Sequence, residues 1–428
     1  MSVKGVLKGV NYGDPVVLFR GEKVVKLAKR FGLEGDFLTL GLGVDLFYTL
    51  YLPHPVVVGL AGVDEGLSTH YSIVKALVDL EELVEVKKHT ILDSSLSTLA
   101  SVSLIQHLIE ELEGLNESVD FKDLEGRSGK GKLTSALKEA LKRVGEEAEN
   151  MRKLKELMAV GTAPGKGSHF DLDESGEDVI KLARNADVSK LLEVLQIVPE
   201  LFRRSRRRFE RFSRGELAGY DLGSDLERVV PEELVLPRKY FLMKFSESKL
   251  LLYEKRLPKA LGSIYLLVDK SGSMEGDKIS WAKATAIALL IKARRERREF
   301  NMRFFDGLPH DRVKVSKNVK PTELLNLIKY LARVRSGGGT DITRAIATAC
   351  DDITLGVTKN TSDIIVVTDG EDTLSVNLLK RKLRQANAKL TSVMILGDNK
   401  DLKTLSEHYL TVKVLDENAI LKIVETPD

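Results

Sequence analysis

In LLVDKSGSM, residues 266–274, an aspartate is followed at alternate positions by two serines. Asp269 offers a carboxylate and Ser271 and Ser273 a hydroxyl each, and alternate spacing lets a curved loop turn all three inward. Three hard oxygens at one point suit Mg²⁺, with Mn²⁺ or Ca²⁺ as alternatives. Two later stretches can complete such a site. VVTDGED, 366–372, runs a buried strand into Asp369, and SGGGTDITRAI, 336–346, is a glycine-rich loop entering a helix with Thr340 and Asp341 at its mouth. Asp269, Ser271, Ser273, Thr340 and Asp369 then supply five oxygen donors from three loops, and an octahedral cation so held keeps one position open. Asp341, Glu371 and Asp372 add negative charge to the rim, and that many acids repel unless a cation sits among them. The plainer alternative is helix capping, the commonest reason for Asp, Ser or Thr before a helix. Three such stretches falling on one sheet edge favour the metal.

Enzymatic readings of the same residues fail on their spacing. Against a calcium-binding helix-loop-helix, Met274 stands where the loop needs glycine and Ser280 where it needs glutamate. Ser271 replaces the second acid of an aspartyl phosphotransferase, and Ser273 lacks the G-x-S-x-G setting of a hydrolase nucleophile. GTAPGKGS, 161–168, is one residue short of a phosphate loop and has Gly167 where Ser or Thr should meet magnesium, so it reads as a turn. His54, His70, His89, His107, His169, His310 and His408 never fall at ligand spacing, and no cysteine pair exists, which argues against zinc. None of these enzymatic motifs is met.

The elements around these loops must hold them at one place. From about residue 262 short apolar runs, SIYLLV, NMRFFD, DIIVVT, SVMILG and TVKVL, alternate with helix-length amphipathic stretches. That pattern predicts an α/β domain with a doubly wound, mostly parallel sheet and helices on both faces. The helix after DKSGS should begin near Asp277, with Ile279, Ala282, Ala286, Leu289 and Ala293 on one face. The loop therefore lies at the carboxyl end of a central strand, where open α/β sheets bind ligands. Residues 70–213 carry a long charged helical pattern in which Leu104, His107, Leu108 and Leu112 share a face. A boundary near 255–262, at KRLPKALGS, divides a mainly helical domain, 1–255, from the sheet domain, 256–428. YFLMKFSESKLLLYEKR, 240–256, fits a helix or a hairpin.

Bulk composition sets the outer limits. The chain has 428 residues, too many for one ordinary core. Its formal charge of +3 gives no case for nucleic acid from composition alone. Cys350 is the single cysteine, expected in a core, and fits a reducing compartment. Only three glutamines beside abundant Lys, Glu and Arg lean toward a heat-adapted source. MSVKGVLKGVNYGD has no apolar run typical of a secretory signal, so a cytoplasmic location is expected. LFYTLYLPHPVVVGLAGV, 46–63, lacks Asp, Glu, Lys and Arg, but Pro53 and Pro55 break it, which predicts two buried segments joined by a turn and no membrane span.

The DxSxS stretch, the threonine of GGGTD and the aspartate of TDG, in that order, resemble the metal-ion-dependent adhesion site of the von Willebrand factor A domain, over about residues 262–428. The resemblance implies that Ser271, Ser273 and Thr340 contact the metal directly or through water. It also implies that Asp269 and Asp369 lie in or just outside the metal's immediate shell, and that a partner's carboxylate fills the open position. The same resemblance implies a protein that binds and does not catalyse.

LFRRSRRRFERFSRG, 201–215, carries Arg203, Arg204, Arg206, Arg207, Arg208, Arg211 and Arg214, interleaved with Phe202, Phe209 and Phe212. It could bind phosphate backbone or an acidic protein partner. The simpler alternative is a helix with its phenylalanines on the core and its arginines in solvent or paired with acids. PELFRRSRRRFERFSRG, GYDLGSDLERVVPEELVL and KYFLMKFSESKLLLYEKR resemble the linker region of ViaA and CoxE-like proteins, which place a helical part before an A domain and act as adaptors of a MoxR-type AAA+ ATPase. The resemblance implies such an ATPase, or its client, as partner. Two rivals remain: an RNA-binding protein of Ro-like architecture, and a chelatase-like subunit.

Overall fold

The computed structural model describes residues 3–33, 38–60, 63, 65–115, 127–159, 172–194, 209–258, 262–317, 321–356, 362–370 and 372–426. They fall into two compact units, Met1–Gln196 with Val319–Arg335, and Ile197–Asn318 with Ser336–Asp428.

The helical unit contains α1 (Pro15–Arg30), α2 (Leu40–Tyr51), α3 (Ser68–Asp79), α4 (Leu83–Thr90), α5 (Ser94–Leu115), α6 (Arg127–Ala159), α7 (Leu172–Ala183) and α8 (Ala186–Val194). Helix caps follow local chemistry: Asp14 accepts from Val16 N–H before a proline-led α1, and Thr39 accepts from Leu42 N–H at α2. Leu104, Leu108 and Leu112 are buried together along α5 as their spacing requires, and so is His107. His107 is held by the Glu147 carboxylate at 2.6 Å, which also lies 2.9 Å from Arg184. The 46–63 stretch departs from expectation in its second half. α2 is buried throughout Gly41–Leu50, but Val56 is 53% and Leu60 73% exposed. Residues 56–58 instead run extended against the N-terminal segment, with Leu7 opposite Val57 and backbone hydrogen bonds from Lys8 N–H to Val56 O and from Val58 N–H to Val6 O, and no helix among the described residues is long and apolar enough to cross a membrane.

The second unit opens with an antiparallel pair, β1 (Phe209–Gly223) and β2 (Leu250–Pro258), with Tyr220 opposite Tyr253. The helical alternative for the arginine-rich stretch therefore fails from Phe209 on. Gly215, Gly219 and Gly223 each weaken a helix by about 1 kcal/mol, and the cross-strand partner supplies the backbone hydrogen bonds instead. Arg211 and Arg214 lie on β1; Arg203, Arg204, Arg206, Arg207 and Arg208 lie outside the described residues, as does GTAPGKGS. The 240–256 stretch is divided between α9 (Arg238–Ser246) and β2.

A six-stranded sheet follows: β3 (Ile264–Asp269), β4 (Phe300–Phe305), β5 (Val313–Val315), β6 (Ser362–Thr368), β7 (Ala388–Ile395) and β8 (His408–Val412), in the order β5-β4-β3-β6-β7-β8. All pairs are parallel except β4 with β5. Every residue of β3 and β6 is buried, because both faces are covered and the apolar runs have no solvent side. Tyr265, Leu267, Ile364 and Val366 pack with α12 (Ile342–Leu355) and α13 (Val376–Gln385) in one core. α10 (Asp277–Arg295), α14 (Lys400–Leu405) and α15 (Glu417–Glu425) complete the layers. Cys350 is buried on α12, and burial beside Asp351 pushes its thiol up to about 12, so it is a core residue and no nucleophile. One helix of this part of the chain, α11 (Pro321–Arg333), belongs to the helical unit, where Lys329 pairs with Asp178 at 2.5 Å.

Candidate metal centre

Chain order reverses at β3: β4 pairs on one side and β6 on the other. The carboxyl ends of β3 and β6 thus frame the switch point of the sheet, where diverging loops leave a crevice. Asp269 ends β3, and Asp369 follows the last residue of β6. The register Val268↔Val367 places Asp269 beside Thr368 one step further on.

The Asp269 side chain is fully buried. Its Oδ1 accepts the Ser271 N–H at 2.8 Å and its Oδ2 accepts the Thr368 hydroxyl. Burial raises this carboxyl above the usual carboxylate range; the Thr368 and Ser271 hydrogen bonds oppose the rise and the Asp369 charge adds to it. The capping alternative does not hold for Asp269 and Ser271, since neither makes a side-chain cap bond to the 3₁₀ turn Gly272–Met274 or to α10. The Ser271 and Ser273 hydroxyls lie 3.1 Å apart, and Ser273 donates to Asp369 Oδ1 at 2.8 Å. Asp269, Ser271, Ser273 and Asp369 therefore converge.

The glycine-rich loop is stitched to this group through its backbone. Gly337 N–H donates to Lys270 O at 2.6 Å, and Gly272 N–H to Gly338 O at 3.2 Å. Gly338, at φ +97°, passes so near Asp306 that an added Cβ would lie 3.0 Å from the Asp306 Cβ. Thr340 follows and sits against Gly370, where an added Cβ would meet the Thr340 methyl at 3.0 Å. The threonine is thereby brought to the loop that carries Asp369.

The rim acids have a different role. Asp341 accepts from Arg344 N–H at 2.8 Å and Asp372 from Ile342 N–H at 3.1 Å, so both cap the start of α12. Their charges answer that helix's open N–H groups and positive end. Glu371 lies outside the described residues.

Three residues escaped the sequence reading: Thr368, Lys278 and Asp306. Thr368 comes to Asp269 through the parallel β3/β6 register, which the sequence does not fix. Lys278, on the first turn of α10, donates to Asp369 Oδ2 at 2.6 Å and to Ser273 O at 3.1 Å. Asp306, just past β4, lies 3.0 Å from Lys270 and 2.9 Å from His310. Although its partial burial acts upward, hydrogen bonds from His310, Leu308 N–H and Lys270 bring Asp306 down to about 2. Lys278–Asp369 and Lys270–Asp306 join residues distant in sequence, and nothing local announces them.

Among the described residues no group of three or more His, Cys, Asp or Glu converges as a metal site, so a cation here would rest on hydroxyls as much as carboxylates. Two aspartates, two touching serine hydroxyls and a threonine at one sheet edge fit a hard divalent ion, for which alcohol and carboxylate oxygens are suitable donors.

The doubly wound sheet with a carboxylate and hydroxyl cluster at its switch point meets the expectation of an A-type domain. Residues 263–425 match the von Willebrand factor type A domain. The chain as a whole is similar to two proteins of Methanocaldococcus jannaschii. Uncharacterized protein MJ0811 is 28% identical over 407 residues, covering 90% of each chain, and uncharacterized protein MJ0077 is 25% identical over 369 residues, covering 83% of this chain and 88% of the other. The similarity thus extends well beyond the A domain. Among solved structures, proximal thread matrix protein 1 of the mussel byssus, with a zinc-occupied MIDAS motif, is 14% identical with a TM-score of 0.30 over 38% of this chain and 46% of that one.

Proposed function

We propose that this chain is a non-enzymatic adaptor whose A domain binds a carboxylate of a protein partner through a divalent cation, Mg²⁺ before Mn²⁺ or Ca²⁺. The observation that carries the proposal is the convergence of Asp269, Ser271, Ser273 and Asp369 at the β3/β6 switch point. Asp269 and Asp369 would supply charge, and Ser271, Ser273 and Thr340 neutral oxygens, leaving the cation electrophilic toward an incoming acid. The helical unit would engage a second party. A MoxR-type AAA+ ATPase, or its client, in the cytoplasm is the partner we favour, on the likeness of residues 160–260 to the linker of ViaA and CoxE-like adaptors. Metal and partner would bind cooperatively, each raising the other's affinity by the same factor.

The test retains the intact chain on a support in lysate of its source cells, with Mg²⁺, with EDTA, and as the Ser271→Ala/Ser273→Ala double variant. The double variant is expected to lose roughly 100-fold or more in Mg²⁺ affinity by calorimetry. An AAA+ ATPase held in Mg²⁺ and released in the other two supports the adaptor. RNA bound regardless of metal, and lost when the 203–214 arginines are neutralised, overturns it in favour of an RNA-binding protein.

A further inference from the structure

We propose that Lys278 sets the charge balance of the metal centre, so that a loaded site requires an anion. This rests on the metal-site reading above. The Lys278 ammonium lies 2.6 Å from Asp369 Oδ2, while Asp369 Oδ1 takes the Ser273 hydroxyl. The Asp369 side chain is only 3% exposed and that of Lys278 27%, so the ion pair is largely shielded from water. The second hydrogen bond, to Ser273 O, ties the lysine to the loop that carries the serines. Lys278 therefore occupies one oxygen of Asp369 and turns the other toward the hydroxyls.

Five charged or titratable neighbours among the described residues have contacts of their own. Lys270 pairs with Asp306, which His310 also contacts, and Asp341 and Asp372 serve the N–H groups of α12. Within the contact group, two carboxylates less one ammonium leave one net negative charge. A divalent cation would reverse that to one net positive charge. A partner carboxylate would restore neutrality, whereas a neutral oxygen would not. With no lysine the loaded centre would already be neutral, and its pull on a carboxylate would fall. Lys278 is thus a positioning residue that weakens cation binding and strengthens acid binding.

Opposite signs on two ligands separate this role from a structural one. Mn²⁺ affinity is measured on the full chain by calorimetry, and glutamate affinity of the Mn²⁺-saturated protein by its effect on water-proton relaxation. Lys278→Met is expected to tighten Mn²⁺ about tenfold and to weaken glutamate several-fold, roughly the effect of removing one shielded charge. Lys278→Arg should hold both within about twofold of the parent, because the charge is kept. Lys278→Gln serves in place of the Met variant if circular dichroism shows the latter unfolded. Unchanged or weaker Mn²⁺ binding in the neutral variants, with the parent binding normally, overturns the role of Lys278 alone. Absence of Mn²⁺ binding to the parent overturns the metal site, and this inference with it.

Discussion

Asp45 in the helical unit and Asp269 in the A domain are both wholly buried aspartates, yet their surroundings close differently. Asp45 sits on α2 and takes the Val6 N–H at 2.7 Å and the Tyr12 hydroxyl, with His70 Nε2 2.8 Å away but without hydrogen-bond alignment. Its donors come from the N-terminal segment, so the carboxylate pins that segment to the helix. Burial and the Asp45 charge push the Tyr12 phenol well above its ordinary range, which keeps it a neutral donor. Asp269 takes one N–H and one hydroxyl, then faces Ser271, whose hydroxyl reaches the exposed Ser273 and through it Asp369. Burial of an acid therefore does not indicate its role. What matters is whether the ring of donors ends inside the fold or continues to the surface.

The largest expected effect breaks the closed ring. Asp45→Ala leaves the Val6 N–H and the Tyr12 hydroxyl without their buried acceptor and should lower stability by about 3 kcal/mol in urea unfolding. Mn²⁺ affinity should remain unchanged, and a loss matching that of the serine double variant would erase the contrast between the two aspartates. Next come the α12 caps. Asp341→Ala and Asp372→Ala should each cost about 1 kcal/mol in thermal unfolding and leave Mn²⁺ affinity within about twofold. A tenfold drop in either would return that residue to the metal rim.

The smallest effect is read against pH. Asp306 is held below its usual value, so its stabilising contribution is complete above about pH 4 and is lost as pH falls toward its folded value of about 2. Its side chain is 17% exposed, so solvent screening limits the contribution to about 0.5 kcal/mol. Asp306→Asn should lose less unfolding free energy than the parent between about pH 4 and 2, by that amount, in urea unfolding of the full chain. An identical pH profile in variant and parent would show that the Lys270 and His310 contacts add nothing to stability.

The central strands β3 and β6 were legible because parallel strands covered on both faces carry apolar runs, IYLLV in one and IIVV in the other. The residues of the centre were legible because their oxygens follow directly on those runs. Other features were not. Phe209 and Phe212 fit a helical period, but glycines and a partner strand distant in sequence drew them into β1. α11 has the amphipathic pattern of any surface helix, and the pattern does not say against which unit its apolar face will pack. Asp341, Asp372 and Lys278 differ little in local sequence from solvated surface charges, and only the folded loops assign the first two to a helix end and the third to Asp369.

By itself, then, the sequence determined where β3 and β6 end and which oxygen-bearing side chains follow them, since covalent order and burial periodicity are local properties, whereas it put the last strand at TVKVL, 411–415, instead of His408–Val412 and gave no sign of β5. Only the tertiary structure decided which of those side chains meet. The β3/β6 register, the backbone stitching of the glycine loop and the reach of Lys278 span separations of some 65 to 100 residues along the chain. Pairings at that distance depend on the packing of the whole domain and leave no periodic trace in the sequence.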